Sequence, residues 1–356
     1  MAPSRALLIV NPASGKLAGG RSIARFTAAV ERVLGDVDFQ ATKRRGHAIE
    51  LARRAAAEGR ETIVAVGGDG TLHEVVNGVM ATRTGASAAG GAGPRVGLIG
   101  LGTGGDFPRS LGLGHGLERH LAAIAAGHTR AIDLLRVEFR DHGGRPLSRY
   151  VVNVLSAGPG GLVDRYVERV PALAGGRLAY GLAAAWALVE CPRAGLRLRL
   201  WGLPGREPDA VVERELSTYL LAACNGAVFG GGMRLAPAAV PDDGLLDVVS
   251  IAPGSKWVVA RHLPKVYRGR HLDVPGVEVL RCRGLDVELL EPSLAARFAL
   301  DVDGEPLGRL PARVELVPAA LEMLAPPQAA PAAPSAPGAS SPPSAPTVPR
   351  APSATS

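Results

Sequence analysis

Four short stretches combine residue types suited to phosphate chemistry. In Thr62–Met80, TIVAVGGDGTLHEVVNGVM, an apolar run meets Gly67-Gly68-Asp69-Gly70 and a helical pattern follows at once. Glycine permits positive φ and lets backbone amides approach a ligand. A helix N-terminus also carries partial positive charge, so the corner suits a phosphate. Asp69 fits less simply: a carboxylate repels phosphates unless it faces a metal ion or takes part in proton transfer. Asn11-Pro12-Ala13-Ser14-Gly15-Lys16 and Gly100–Gly112, GLGTGGDFPRSLG, follow apolar runs in the same way. Asp303-Gly304-Glu305 is a hairpin-turn signal between FALDV and EPLGRL, and a tight turn would project both carboxylates rigidly.

These stretches need elements to hold them. ALLIV (6–10), ETIVAV (61–66) and RVGLIGL (95–101) read as buried strands. Between them Ile23, Phe26, Val30, Val33 and Leu34 fall at helical spacing. Leu72, Val75, Val76, Val79 and Met80 form one helix face, and a further segment holds Leu117, Leu121 and Ile124. Continuous apolar strands alternating with helices predict a parallel sheet covered on both faces. The three glycine turns then share the C-terminal strand ends, where open α/β sheets bind ligands. Thr71-x-x-Glu74 has the spacing of a capping box, which starts that helix at Thr71.

Past residue 130 the texture changes. GLRLRLW (195–201), VEVLRC (277–282), LDVELL (285–290) and ARVELV (312–317) alternate apolar and polar, the period of half-exposed antiparallel strands. One helical interlude, LAYGLAAAWALVE (178–190), interrupts them. The expected organisation is an α/β domain over 1–130, a mostly antiparallel β domain over 131–324, and a tail over 325–356. The tail has ten prolines, ten alanines and one charge, and is expected to be disordered.

Composition narrows the function classes. The chain is 47% hydrophobic over 356 residues, yet no apolar run nears the roughly 20 residues of a membrane span. MAPSRALLIVNP has too short an apolar run for a signal peptide. Cys191, Cys224 and Cys282 are odd in number and far apart, which predicts neither disulfides nor zinc and a cytoplasmic setting. Net charge is +7, and residues 1–130 hold sixteen Lys and Arg against ten Asp and Glu, including Lys43-Arg44-Arg45. That excess suits an anionic ligand or an anionic membrane surface; no nucleic-acid recognition module accompanies it. Gly100–Gly105 matches the dinucleotide fingerprint G-x-G-x-x-G, but on a late strand without the acidic strand end about 20 residues on. Lys16 is followed by Leu17 and lacks the upstream glycine of a Walker A loop. His47 and His73 have no metal-ligand spacing and read as surface or packing residues, while Trp186 and Trp201 read as core.

The segments NPASGK (11–16), GGDGTLHEVVNG (67–78), GTGGDFPRSLG (102–112), CNGAVFGGGMRLAPAAVPDDGLLDVV (224–249) and VDGEPL (302–307) occur in the order found in one family. On them the chain resembles the diacylglycerol kinase catalytic domain group, which includes bacterial lipid kinases and sphingosine kinases. The resemblance spans residues 6 to about 318 and implies an NAD-kinase/phosphofructokinase-like α/β domain followed by a β-sandwich. It implies ATP contacts at Asn11, Pro12, Ala13, Ser14, Gly15, Thr42, Gly68, Asp69, Gly70, Thr71, Leu72, His73, Glu74 and Thr103. It implies Glu305 as proton acceptor with Asp303 as its partner, and Asp69 acting through magnesium or orienting the reacting groups. It also implies a structural magnesium at Val240, Asp243 and Leu245, a default acceptor of diacylglycerol, and peripheral contact with an anionic membrane. One departure is Gly105, where the family usually carries Asn. An NAD kinase-like enzyme and a non-catalytic nucleotide- or lipid-binding regulator of the same fold stay open as alternatives. Nothing in the sequence decides between a monomer and a homodimer.

Overall fold

The computed structural model describes residues 6–14, 20–83, 93–101, 105–160, 162–163, 183, 186–187, 190–252 and 254–327. Most of the interlude at 178–190, together with Gly15, Lys16, Thr103 and residues 328–356 of the tail, lies outside them.

The first half alternates as its pattern predicts. Strands β1 (Leu7–Val10), β2 (Asp38–Ala41), β3 (Thr62–Gly67) and β4 (Arg95–Gly100) are parallel, in the order β2-β1-β3-β4. Helices α1 (Gly20–Leu34), α2 (His47–Ala57), α3 (Asp69–Met80), α4 (Asp106–Ser110) and α5 (Leu117–Ala126) follow the strands. Because both faces are covered, alternate residues of one strand enter different cores. Leu7 and Ile9 join Val75, Val76 and Val79 on the α2/α3 side, while Leu8 joins Phe26, Val30 and Leu121 on the other. Helices α2 and α3 touch closely at Gly78, where a Cβ would lie 2.4 Å from the Ile49 carbonyl oxygen.

The second half is antiparallel. Strands β5 (Thr129–Asp141), β6 (Pro146–Val151), β7 (Val154–Gly158), β8 (Ala194–Trp201), β9 (Val211–Thr218), β10 (Leu220–Cys224), β11 (Leu246–Ile251), β12 (Val277–Cys282), β13 (Gly284–Leu289), β14 (Ala299–Val302) and β15 (Glu305–Leu324) pair around one apolar core. Helix α6 (Lys256–Tyr267) covers a separate cluster on the outer face of β7, β10 and β11. Strand β15 crosses the division read at 130/131. It pairs with β5 along most of its length, and its end turns parallel to β4 through Met323 and Val96. One continuous sheet therefore carries both halves and fixes the Asp303–Glu305 turn relative to α3.

Both tryptophans expected in the core sit elsewhere. Trp186 is 63% exposed. Trp201 is half-buried under the Arg313 guanidinium, 4.7 Å from its ring, and Gly284 makes room for the indole. All three cysteines are free and buried.

Candidate active site

The C-terminal ends of β1 and β3 open onto a cleft of about 510 Å3. Asn11, Pro12, Ala13, Ser14, Thr42, Gly68, Gly70, Thr71, Glu74 and Glu305 line it, all of them residues that the sequence singled out. The Asn11 side chain folds the first loop, its Oδ1 accepting the Ala13 N–H at 3.0 Å while its Nδ2 donates to Thr71 Oγ1 at 3.4 Å. The first turn of α3 forms one wall of the cleft. Its Thr71 and Leu72 N–H groups donate to the Gly68 carbonyl at 3.0 and 3.2 Å, and the partial charge of the helix N-terminus gives that wall positive potential.

The glycines there do not answer to positive φ, and crowding accounts for Gly67 alone. Gly68 has φ −95°, and neither Gly67 nor Gly70 is among the residues with positive φ. At Gly67 a Cβ would lie 2.2 Å from Thr71 Oγ1 and 3.1 Å from Ser14 Oγ, so a side chain would push the two loops apart. At Gly68 a Cβ would meet only open space, which leaves the backbone bare to the cleft.

The capping box at Thr71 and Glu74 does not form. Helix α3 starts at Asp69 with Gly68 as its cap residue and no side-chain cap. Glu74 instead reaches across to α2, where its carboxylate accepts the Gly46 N–H at 2.7 Å and the Ala48 N–H at 3.0 Å. That contact holds the loop Lys43-Arg44-Arg45 against the cleft, which all three residues line. His47 helps by accepting the Lys43 N–H on Nδ1 at 3.1 Å. The sequence showed the basic run but not that it belongs to this site.

Three carboxylates converge on the same corner. In the turn after β14, Asp303 has φ 52° and Gly304 φ 88°, the two positive values that a tight I′-type hairpin demands. The Asp303 side chain is buried and fully engaged. Its Oδ1 accepts the Asn153 and Val154 N–H groups at 2.9 and 3.1 Å, and its Oδ2 accepts the Val152 N–H at 2.8 Å and meets His73 Nδ1 at 2.9 Å. His73 is itself buried and so lies behind the cleft wall, as does Leu72. Glu305 is different. It faces the cleft beside Gly70, with Arg45 Nε 3.5 Å from Oε2. Burial holds its carboxyl above the ordinary range, and the neighbouring His73 and Arg45 only partly offset this.

Asp69 accepts the Asp106 N–H at 3.1 Å, which ties α3 to the first turn of α4. Burial, with Asp106 and Asp303 as like-charged neighbours, pushes its carboxyl up to about 6. Gly105, just before α4, has φ 57°, a left-handed conformation that Asn also adopts readily. A Cβ there would lie 3.3 Å from the His115 ring.

Among the described residues no group of three or more His, Cys, Asp or Glu is arranged to hold a metal. At Asp69, held by amides among acidic neighbours, a divalent cation would relieve the charge, so the residue fits a divalent metal ion. The loop holding Val240, Asp243 and Leu245 fits less well. Asp243 is paired with Arg281 and accepts the Leu245 N–H, and Asp242 is held by Arg130 at 2.8 Å. A cation there would have to displace Arg281.

Comparison with known proteins identifies the family of both halves. Residues 5–137 match the diacylglycerol kinase catalytic domain, and residues 153–325 match the YegS C-terminal NAD kinase beta sandwich-like domain. A probable lipid kinase YegS-like of Xanthomonas oryzae pv. oryzae is 32% identical over 92% of this chain and 97% of its own. A diacylglycerol kinase of Staphylococcus carnosus is 27% identical over 90% and 95%. The crystal structure of a putative diacylglycerol kinase from Bacillus anthracis superposes with a TM-score of 0.68 at 21% identity, covering 91% of this chain and 96% of that one, and it shares the fold. With both halves matched in order, the chain belongs to the diacylglycerol kinase catalytic domain family and is a kinase.

Proposed function

We propose that the chain transfers the γ-phosphoryl group of ATP to the hydroxyl of a lipid alcohol, with diacylglycerol as the default acceptor and phosphatidic acid as product. The observation that carries this reading is Glu305. It is a half-buried carboxylate with a raised pKa, facing a cleft whose other walls are a helix N-terminus and a basic loop.

Phosphoryl transfer asks a protein for positioning, charge neutralisation and a base. In this reading the triphosphate lies against Asn11–Ser14 and the first turn of α3, with Lys43, Arg44 and Arg45 neutralising its charge. Magnesium, when bound, would draw charge from the phosphate oxygens, and Asp69 would hold it. The acceptor hydroxyl would approach Glu305, which takes its proton as the new P–O bond forms and the β-phosphate leaves with the electrons of the old one. A carboxyl with a raised pKa is the stronger base once it is ionised. Asp303 acts through position: its four hydrogen-bond partners fix the turn that aims Glu305.

The test is magnesium-dependent transfer of labelled γ-phosphate from ATP to diacylglycerol, sphingosine, ceramide and phosphatidylglycerol in mixed micelles. The reading expects one labelled lipid, lost in Glu305→Ala. Labelling of NAD instead, with every lipid blank, would reject it.

A further inference from the structure

Helix α6 presents two unlike faces. Val259, Leu263 and Val266 close an apolar cavity of about 80 Å3 together with Phe229, Met233 and Ile251. The opposite stripe, Trp257, Arg261, Pro264, Lys265 and then Arg268 just past the helix, is exposed. Trp257 is 84% exposed, more than any other large apolar side chain among the described residues. The charge along this segment has one sign. From Val248 to Leu272 the sequence has no carboxylate, and its cations are Lys256, Arg261, Lys265, Arg268 and Arg270.

An indole held in water is costly by itself, but an indole flanked by cations suits a bilayer interface. Tryptophan settles at headgroup depth, and each nearby Lys or Arg gains about 1 kcal/mol from an anionic leaflet. We propose that the outer face of α6 docks the chain on an anionic phospholipid surface. The inference rests on the lipid-acceptor reading for its purpose, since it names the face through which a membrane-borne substrate is met. The helix also adjoins the catalytic corner through one segment. Phe229 and Met233 bridge to each other, and Gly231 between them donates its N–H to Asp106 at 2.7 Å, next to Asp69.

The test is flotation of the full chain with vesicles of phosphatidylcholine alone and of phosphatidylcholine with phosphatidylglycerol, in the absence of ATP. Binding is expected only with the anionic vesicles. The combined variant Arg261→Gln, Lys265→Gln, Arg268→Gln should bind on the order of 100-fold more weakly, by about 1 kcal/mol per charge. Trp257→Ala should bind roughly tenfold more weakly. Thermal melts should match the wild type, because these side chains are exposed. Turnover on a dispersed short-chain acceptor should persist in both variants; if it is absent even in the wild type, the kinase reading fails while the docking result still stands or falls by flotation. Anionic-vesicle binding that neither variant weakens would overturn the proposal. So would a dimer that Trp257→Ala dissociates while vesicle binding is unchanged, since that would assign the face to a second copy of the chain.

Discussion

His73 Nδ1 and Asp303 Oδ2 stand 2.9 Å apart, joining α3 of the first half to the β14–β15 turn of the second across 230 residues of sequence. Both side chains are nearly inaccessible. The contact sets the turn that carries Glu305 against the helix that walls the cleft, and Asp303 therefore braces that turn. Asp303→Ala leaves three backbone amides and an imidazole without their acceptor. It should cost several kcal/mol of stability, at about 1–3 kcal/mol for each buried group left unpaired. His73→Ala removes only one partner and should cost less. Denaturant melts of the two variants check the order.

Glu74 and Thr71 separate two accounts of the α3 start. If Glu74 serves the N-terminus of α2, Glu74→Ala should destabilise by about 1–3 kcal/mol and raise the KM for ATP, because the basic loop loses its tether. Thr71→Ala should cost clearly less. Equal losses would restore the capping box.

Arg45 lies 3.5 Å from Glu305 and lowers its pKa against the larger effect of burial. Glu305 is an effective base only when ionised, so kcat should fall with acid at a pH above the usual carboxylate range. Arg45→Ala should move that limb further towards alkaline pH. The shift should be modest and shrink in salt, because Arg45 is exposed. A pH–rate profile at saturating ATP reads it directly.

Asp69 carries a stability cost that depends on pH. Its folded pKa of about 6 lies above the ordinary 3.8, so the folded state binds the extra proton between them. The cost is absent below the ordinary value and grows as pH rises through about 6, to on the order of 3 kcal/mol. Asp69→Asn removes the charge. Without magnesium it should melt higher than the wild type at pH 8 and alike at pH 4, while losing turnover.

Much of this was legible in the sequence because it rests on local pattern. Apolar runs and helical spacing gave β1, β3, β4 and α3, and Asp303-Gly304 marked a hairpin that the backbone angles bear out. What stayed hidden depends on long-range packing. Glu74 has capping-box spacing from Thr71, yet its partners are 26 and 28 residues away. Lys43–Arg45 reads as a basic run suited to an anionic ligand or surface, and only the packing of α2 sets it over this cleft. Gly67 is needed chiefly because a Cβ would strike Thr71 Oγ1 at 2.2 Å, and its further approach to Ser14 Oγ at 3.1 Å is the part that no local pattern reveals. Asp303 and Glu305 share one turn but differ in role, because only burial and partners tell a braced carboxylate from an available one.

The most direct measurement is ATP binding and lipid phosphorylation by Glu305→Gln beside the wild type. The account predicts ATP affinity within about twofold and a kcat lowered by roughly 100- to 10,000-fold, the range for loss of a general base. Unchanged turnover, or turnover lost only together with ATP binding, would contradict it.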